Sequence, residues 1–265
     1  MKYDLLIVGG GPAGLTAAIH ARARNKSVLV ISNEPTASPL CKAAVMDNYP
    51  GLPHISGQEL ETRLLAQAKE LGAELRVGRV LNLMPMGDTV MASIGSDVAE
   101  ASAAILCTGV TRAAPLVGEE RLLGRGVSYC ATCDGMLYRG KDIVVAGDAP
   151  DWQEESAWLA SIGCRVTEVK LAGLQILGEH KVDGVRTAAG IRVPCEGVFL
   201  LRASIAPTQM VPGLELEGGY IKVDAHMATN LPGIYAAGDC TGQPLQLAKA
   251  VGQGQIAAHW ALNRE

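Results

Sequence analysis

The chain has 265 residues, of which 48% are hydrophobic and 19% charged. That balance excludes wholesale disorder, and the length accommodates two small domains or one large one. A net charge of −4 argues against a general nucleic-acid binder, and no apolar run approaches the roughly 18 residues of a membrane span.

Tyr3–Val8 reads as a short buried strand. Gly9-Gly10-Gly11-Pro12-Ala13-Gly14 follows it, then an Ala-rich helix to about Arg24 and a second strand, Ser27–Ser32. This βαβ start predicts a parallel sheet. Pro35–Pro53 is loop-rich, Gln58–Leu71 has helical apolar spacing, Glu74–Met91 reads as β-rich, and Ala103–Cys107 is a strand ending at Thr108-Gly109. A second βαβ begins near Asp142: strand Ile143–Ala146, turn Gly147–Pro150, helix Trp152–Ile162, strand Arg165–Lys170. Gly197–Ala203 is another apolar strand, and a final helix runs from about Leu247 to Leu262 after Gly233–Asp239. The fold class expected is α/β with two related nucleotide-binding-type units.

Gly9, Gly11 and Gly14 fit G-x-G-x-x-G between a strand and a helix. The first glycine permits the turn, the second lets backbone approach a pyrophosphate, and the third lets helix and strand pack closely. The helix start, with Pro12 and Ala13 in its first turn, turns N–H groups toward phosphate. Glu34 stands where an acidic ribose partner is expected. Gly238-Asp239 ends a late strand, and a carboxylate there suits a ribityl hydroxyl, which favours FAD.

Seven cysteines and no visible secretory signal predict a reducing, cytoplasmic setting. Cys130-Ala131-Thr132-Cys133 is a C-x-x-C segment. A zinc site needs two further ligands at matching spacing, and no second C-x-x-C or H-x₃₋₅-H exists. Redox chemistry is the stronger reading, with the pair at the start of a short helix, Cys130–Leu137, whose dipole favours a thiolate. Asp134 follows at once and suits a proton donor or acceptor. Cys41, Cys107, Cys164, Cys195 and Cys240 read as small core residues.

Together Gly9–Gly14, Asn48-Tyr49-Pro50-Gly51, Cys107-Thr108-Gly109, Gly126–Gly135, Gly233–Asp239 and the segment from Gln246 to Gly254 resemble the low-molecular-weight thioredoxin reductases over almost the whole chain. The resemblance implies two Rossmann-like domains of three-layer ββα type. One is a discontinuous FAD domain, residues 1–112 and 207–265. The other is a shortened inserted disulfide domain, residues 113–206. It adds Lys42, Asn48, Thr108, Gly109, Gly238, Gln246, Leu247 and Ala248 to the expected FAD contacts. In such enzymes the second cysteine, here Cys133, faces the flavin, and the first, here Cys130, attacks thioredoxin. A homodimer is also implied, with no membrane and no nucleic-acid partner.

The sequence departs from NADPH-using members. The second glycine loop reads Gly147-Asp148-Ala149-Pro150-Asp151-Trp152, so a glycine is lost, proline removes an N–H, and two carboxylates would repel a pyrophosphate. Val166–Leu171 lacks the His-Arg-Arg run that grips a 2′-phosphate, and Lys170 does not replace that geometry. We expect no NADPH site. Trp152 stands where a nicotinamide cofactor would bind. Near the flavin, Ala37-Ser38-Pro39-Leu40 replaces the family's Gly-Gly-Gln-Leu, and Lys42 follows.

The chain is similar to the ferredoxin-dependent flavin thioredoxin reductases. That resemblance implies single electrons from ferredoxin to FAD, then to the Cys130–Cys133 disulfide, then to thioredoxin. It also implies rotation about linkers near Thr111–Pro115 and Ala203–Pro207. Ferredoxins are acidic, so a basic patch is expected at Arg22, Arg24 and Lys26 or at Arg121, Arg125 and Arg139. Three other readings stay open: a dithiol oxidase using O₂, a disulfide reductase fed by a second flavin, and a non-catalytic flavin redox sensor.

Overall fold

Continuous aliphatic runs make the central strands, and glycine turns end them. The computed structural model describes residues 2–33, 38–95, 97–110, 115–129, 131–149, 152–202 and 206–264. Glu34, Cys130, Pro150, Asp151 and the linker stretches 111–114 and 203–205 lie outside the described residues, and of Cys133 the backbone alone is described. Two units emerge, Met1–Thr111 with Ala206–Glu265, and Arg112–Ile205.

The first unit opens with β1 (Lys2–Val8), α1 (Pro12–Arg22), β2 (Val28–Ser32), α2 (Gly57–Glu70), β3 (Glu74–Val77), β4 (Val80–Met86), β5 (Thr89–Ile94) and β6 (Asp97–Leu106). Strand β1 lies between β2 and β6, both parallel to it. A strand buried on both faces needs an unbroken apolar run. Leu5, Leu6 and Ile7 supply it at 0% exposure, each contributing about 1.5–3 kcal/mol. Helix α1 starts at Pro12, whose missing N–H costs nothing at that position. Helix α2 is capped by Ser56, whose Oγ accepts the Glu59 N–H at 3.1 Å.

The second unit holds α3 (Glu119–Leu122), β7 (Val127–Ser128), α4 (Ala131–Asp134), β8 (Asp142–Gly147), α5 (Trp152–Ser161), β9 (Arg165–Glu168), β10 (Gln175–Leu177), β11 (Gly184–Arg186), β12 (Arg192–Pro194) and β13 (Gly197–Leu201). Its parallel sheet runs β7-β13-β8-β9, and β10-β11-β12 form a separate antiparallel sheet. The chain then returns to the first unit through α6 (Pro207–Met210), β14 (Leu216–Glu217), β15 (Tyr220–Ile221), β16 (Ile234–Ala236) and α7 (Leu247–Leu262).

The first unit's sheet runs β3-β2-β1-β6-β5-β4, with β16 also on β6. Strand β6 is long enough to serve two neighbours: Asp97–Ala101 pairs antiparallel with β5, and Ala104–Leu106 pairs parallel with β16. Each unit thus combines a parallel sheet with an antiparallel meander, the doubled α/β architecture expected.

Several local expectations need correction. The helix expected over 130–137 is one α-turn, Ala131–Asp134, followed by a 3₁₀ turn, Gly135–Tyr138. Helix α1 stops at Arg22 because Asn25 turns the chain at φ +58°. Strands β10–β12 have three residues each, too few to show alternation in the sequence. Cys107, Cys164, Cys195 and Cys240 are buried, but Cys41 is only half-buried, on the 3₁₀ turn Pro39–Lys42. The residues of the first expected basic patch also make local bonds, which leave their charges in place. Arg22 donates to the Leu71 and Lys26 carbonyls, Lys26 to Asp4, and Arg24 bonds His259.

One buried ion pair holds the second unit. Arg202, just past β13, meets Glu119 with two bonds of 3.0 and 2.8 Å, and Glu119 is 0% exposed. Glu119 also accepts the Leu116 N–H at 2.6 Å and the Tyr129 hydroxyl at 3.0 Å. Removing one partner strands a buried charge. Arg202→Met is therefore expected to lower stability by about 3–5 kcal/mol in urea unfolding, whereas Arg165→Met, at an exposed pair, is expected to cost far less.

Candidate functional site

The glycine loop sits where β1 hands over to α1. Gly9 has φ +111°, and a Cβ there would lie 2.2 Å from the Cys107 carbonyl oxygen. A Cβ on Gly14 would lie 1.9 Å from the Gly9 carbonyl oxygen. Nothing stands within 4 Å of the Cβ direction at Gly11, so space is open over the helix start. Pro12 and Ala13 form the first turn there, whose N–H groups have no acceptor inside the helix. An open cleft of about 460 Å³ extends from this loop past the end of β2, lined among others by Gly10, Ser32, Asn33, Leu65, Lys69 and Arg76. Glu34, the expected ribose partner, lies just beyond Asn33 and outside the described residues.

Gly238 and Gly254 reach the same loop. A Cβ on Gly238 would come within 2.9 Å of the Ala13 Cβ, and one on Gly254 within 2.2 Å of the Ala13 carbonyl oxygen. Asp239 follows Gly238, and burial raises its carboxyl pKa while Lys249 opposes the rise. Among the described residues, the buried Thr108 Oγ1 has no hydrogen-bond partner and Gly109 (φ +67°) has open space beside it. Asn48 donates to Gln246 Oε1 at 3.1 Å, and Gln246 caps α7 ahead of Leu247 and Ala248. Lys42 ends the 3₁₀ turn, exposed.

Three residues went unremarked as functional. Gln253 Oε1 accepts the Gly238 N–H at 2.9 Å and the Thr241 hydroxyl at 3.0 Å. Lys249 donates to the Gly238 carbonyl at 3.1 Å and to the Gly242 carbonyl. Both residues face the Gly238–Asp239 turn from α7, one turn apart. That i, i+4 pairing was a visible signal, though nothing in the sequence said what it faced. The third is Glu61 on α2, 3% exposed, with neither carboxylate oxygen hydrogen-bonded among the described residues. Burial pushes its pKa to about 7, and its charge raises the Cys41 thiol on the facing turn.

In the second unit, Ser128 donates to Asp134 Oδ2 at 2.7 Å across the cysteine segment. Burial raises the thiol pKa of Cys41, Cys107 and Cys164, and pushes that of Cys195 to about 12 and that of Cys240 to about 11. Protonated thiols are poor nucleophiles.

The second βαβ turn repeats the geometry of the first and then diverges. A Cβ on Gly147 would lie 2.7 Å from the Leu201 carbonyl oxygen, as Gly9 meets Cys107. At the place of Gly14, however, stands Trp152. Its Cβ and Cγ lie 2.6 and 2.7 Å from that same Gly147 direction, and its ring packs on the core of this unit. The N–H groups of Asp148 and Ala149 both turn inward to the Leu201 oxygen at 3.1 Å. Those two N–H groups are thereby engaged within the protein.

The family model for pyridine nucleotide-disulphide oxidoreductases matches residues 3–176 and 174–254. The chain belongs to that family. Within it, a thioredoxin reductase from Listeria innocua is 33% identical over 96% of this chain and 91% of that protein. A solved ferredoxin-flavin thioredoxin reductase from Clostridium acetobutylicum is 38% identical, with a TM-score of 0.88, covering 98% of this chain and 97% of that one. A thioredoxin reductase from Gloeobacter violaceus is 32% identical with a TM-score of 0.78, covering 97% and 92%. This family member is therefore a flavin disulfide oxidoreductase of the thioredoxin reductase type. Among its described residues, no helix is long and apolar enough to cross a membrane.

Glu61 gives a pH test of the site's packing. Its folded pKa, about 7, exceeds the ordinary 4.5, so the folded chain holds a proton that the unfolded chain releases. This contribution is fully present below about 4.5 and is lost as the pH rises through about 7. Urea unfolding between pH 5 and 8 should show wild-type stability falling relative to Glu61→Gln.

Proposed function

We propose that this protein reduces thioredoxin through a Cys130–Cys133 disulfide, using FAD and electrons from ferredoxin rather than NADPH, and acts as a homodimer in the cytoplasm. The observation that carries the donor assignment is the second βαβ turn, with Trp152 over Gly147 and the loop N–H groups spent on Leu201. The likeness to a ferredoxin-flavin thioredoxin reductase supports it.

FAD fits the residues of the first unit. The open space over Gly11, the cleft past Ser32 and the orphaned Thr108 hydroxyl suit a long phosphate-bearing ligand. Gly9, Gly11, Pro12, Ala13 and Gly14 would hold its pyrophosphate, with Glu34 on the ribose. Thr108, Gly109, Gly238, Asp239, Asn48, Gln246, Leu247 and Ala248 would hold the ribityl chain and ring, with Lys42 beside the ring. When bound, FAD gathers two single electrons and passes them on as a pair to the protein disulfide.

The remaining chemistry belongs to the chain. Cys130 thiolate attacks the thioredoxin disulfide, which breaks and leaves a mixed disulfide and one free thiolate. Cys133 gives its proton to Asp134 and attacks the Cys130 sulfur. The second thioredoxin sulfur leaves, taking the proton from Asp134, and the first takes one from water. The dithiol product and the Cys130–Cys133 disulfide balance in atoms and electrons.

Anaerobic bleaching of the bound flavin tests the donor. Reduced ferredoxin is expected to bleach it, and NADPH and NADH are not. Rapid bleaching by NADPH overturns the assignment. Peroxide release on adding a dithiol, with no response to ferredoxin, points instead to the dithiol oxidase.

A further inference from the structure

Ser128 and Asp134 bracket the C-x-x-C segment. Ser128 is 3% exposed and lies on β7, paired through its backbone with Phe199 of β13. Its position is therefore set by the sheet. The Ser128 hydroxyl donates to Asp134 Oδ2 at 2.7 Å. The far end is fixed as well. Asp134 closes α4, and the next residue, Gly135, presses on α5, where a Cβ would lie 2.7 Å from Leu159 Cδ2 and 2.8 Å from Trp158 Cζ3. Tyr129, beside Ser128, is tied to the buried Glu119–Arg202 pair. One hydrogen bond thus joins two anchored points across the cysteines, and it fixes the rotation of the Asp134 carboxylate.

We propose that Ser128 is a positioning residue for thiol exchange: its hydroxyl orients the Asp134 carboxylate that takes the Cys133 proton and returns it to the leaving substrate thiolate. Ser128 itself exchanges no proton. In the step it serves, the Cys133 S–H bond breaks, Cys133 sulfur bonds Cys130 sulfur, and the bond from Cys130 to the substrate sulfur breaks. No outside oxidant enters. The inference rests on the role given to Asp134 in the proposed function.

The test is a single turnover, so that the physiological electron donor plays no part. Holoenzyme is reduced with dithionite, freed of excess reductant and mixed with oxidised thioredoxin. Ser128→Ala is expected to slow exchange about tenfold at saturating thioredoxin. Its half-saturating concentration should stay unchanged, and its solvent deuterium isotope effect should rise. Ser128→Thr should restore the rate. Asp134→Asn should slow exchange too, and adding Ser128→Ala to it should cost nothing more. If the two losses multiply, or if Ser128→Ala moves only the half-saturating concentration, Ser128 does not act through Asp134. If Asp134→Asn leaves the rate unchanged, the assignment of Asp134 fails, and the role of Ser128 falls with it. Ser128→Cys, nearly isosteric and a weak donor, repeats the measurement should the alanine variant not fold. Wild-type flavin content and unfolding midpoint in each variant separate positioning from damage.

Discussion

Backbone meets backbone around Ala13, and the geometry of the first unit follows from that contact. Gly14 packs on the Gly9 carbonyl, Gly254 of α7 packs on the Ala13 carbonyl, and Gly238 packs on the Ala13 methyl group. Three chain segments far apart in sequence reach one helical turn because none of them carries a side chain there. The interface between α1 and α7 is built from alanines, with Ala17, Ala18, Ala21, Ala257 and Ala258 all at 0% exposure. Small residues bring the two helices together, and their closeness sets Asp239 and Gln246 beside the glycine loop. A larger side chain at Gly14 or Gly254 meets backbone atoms, which cannot move aside as a flexible side chain can, and one at Gly238 meets the Ala13 methyl group.

The second unit starts from the same plan and uses it differently. Gly147 meets Leu201 as Gly9 meets Cys107, so the strand-to-helix turn is retained. What changes is the occupant of the next turn. Trp152 puts an indole where the first unit has bare backbone, and the loop N–H groups turn inward to Leu201. The unit keeps a parallel sheet and an antiparallel meander.

That segment depends on buried polar contacts rather than on glycine. Ser128, Tyr129 and Asp134 each use a side chain to tie the backbone near the cysteines to a fixed partner. The Glu119–Arg202 pair sits beneath them with four hydrogen bonds to its carboxylate. Buried polar networks of this kind lock one geometry when every member is satisfied. Thiol exchange gains from that rigidity, because sulfur–sulfur attack and proton transfer both require alignment.

Much of this was legible in the sequence. Gly9 and Gly14 between an apolar strand and an Ala-rich helix fix a dinucleotide-type turn, since no other residue tolerates φ +111° or such close contact, while Gly11 leaves open space. The altered second turn, Ala149 with its neighbours, was equally plain. Residues with short-range causes could be read because their partners lie next to them in the chain. Lys249, Gln253 and Glu61 could not, because their partners are set by how helices pack. The same holds for Arg202, which finds Glu119 across 83 residues. The sequence determined the central strands and the glycine turns through local sterics, and it offered Cys130 and Cys133 as a candidate redox pair. Only the tertiary structure decided which buried charges meet, because that depends on contacts between elements that no local pattern encodes.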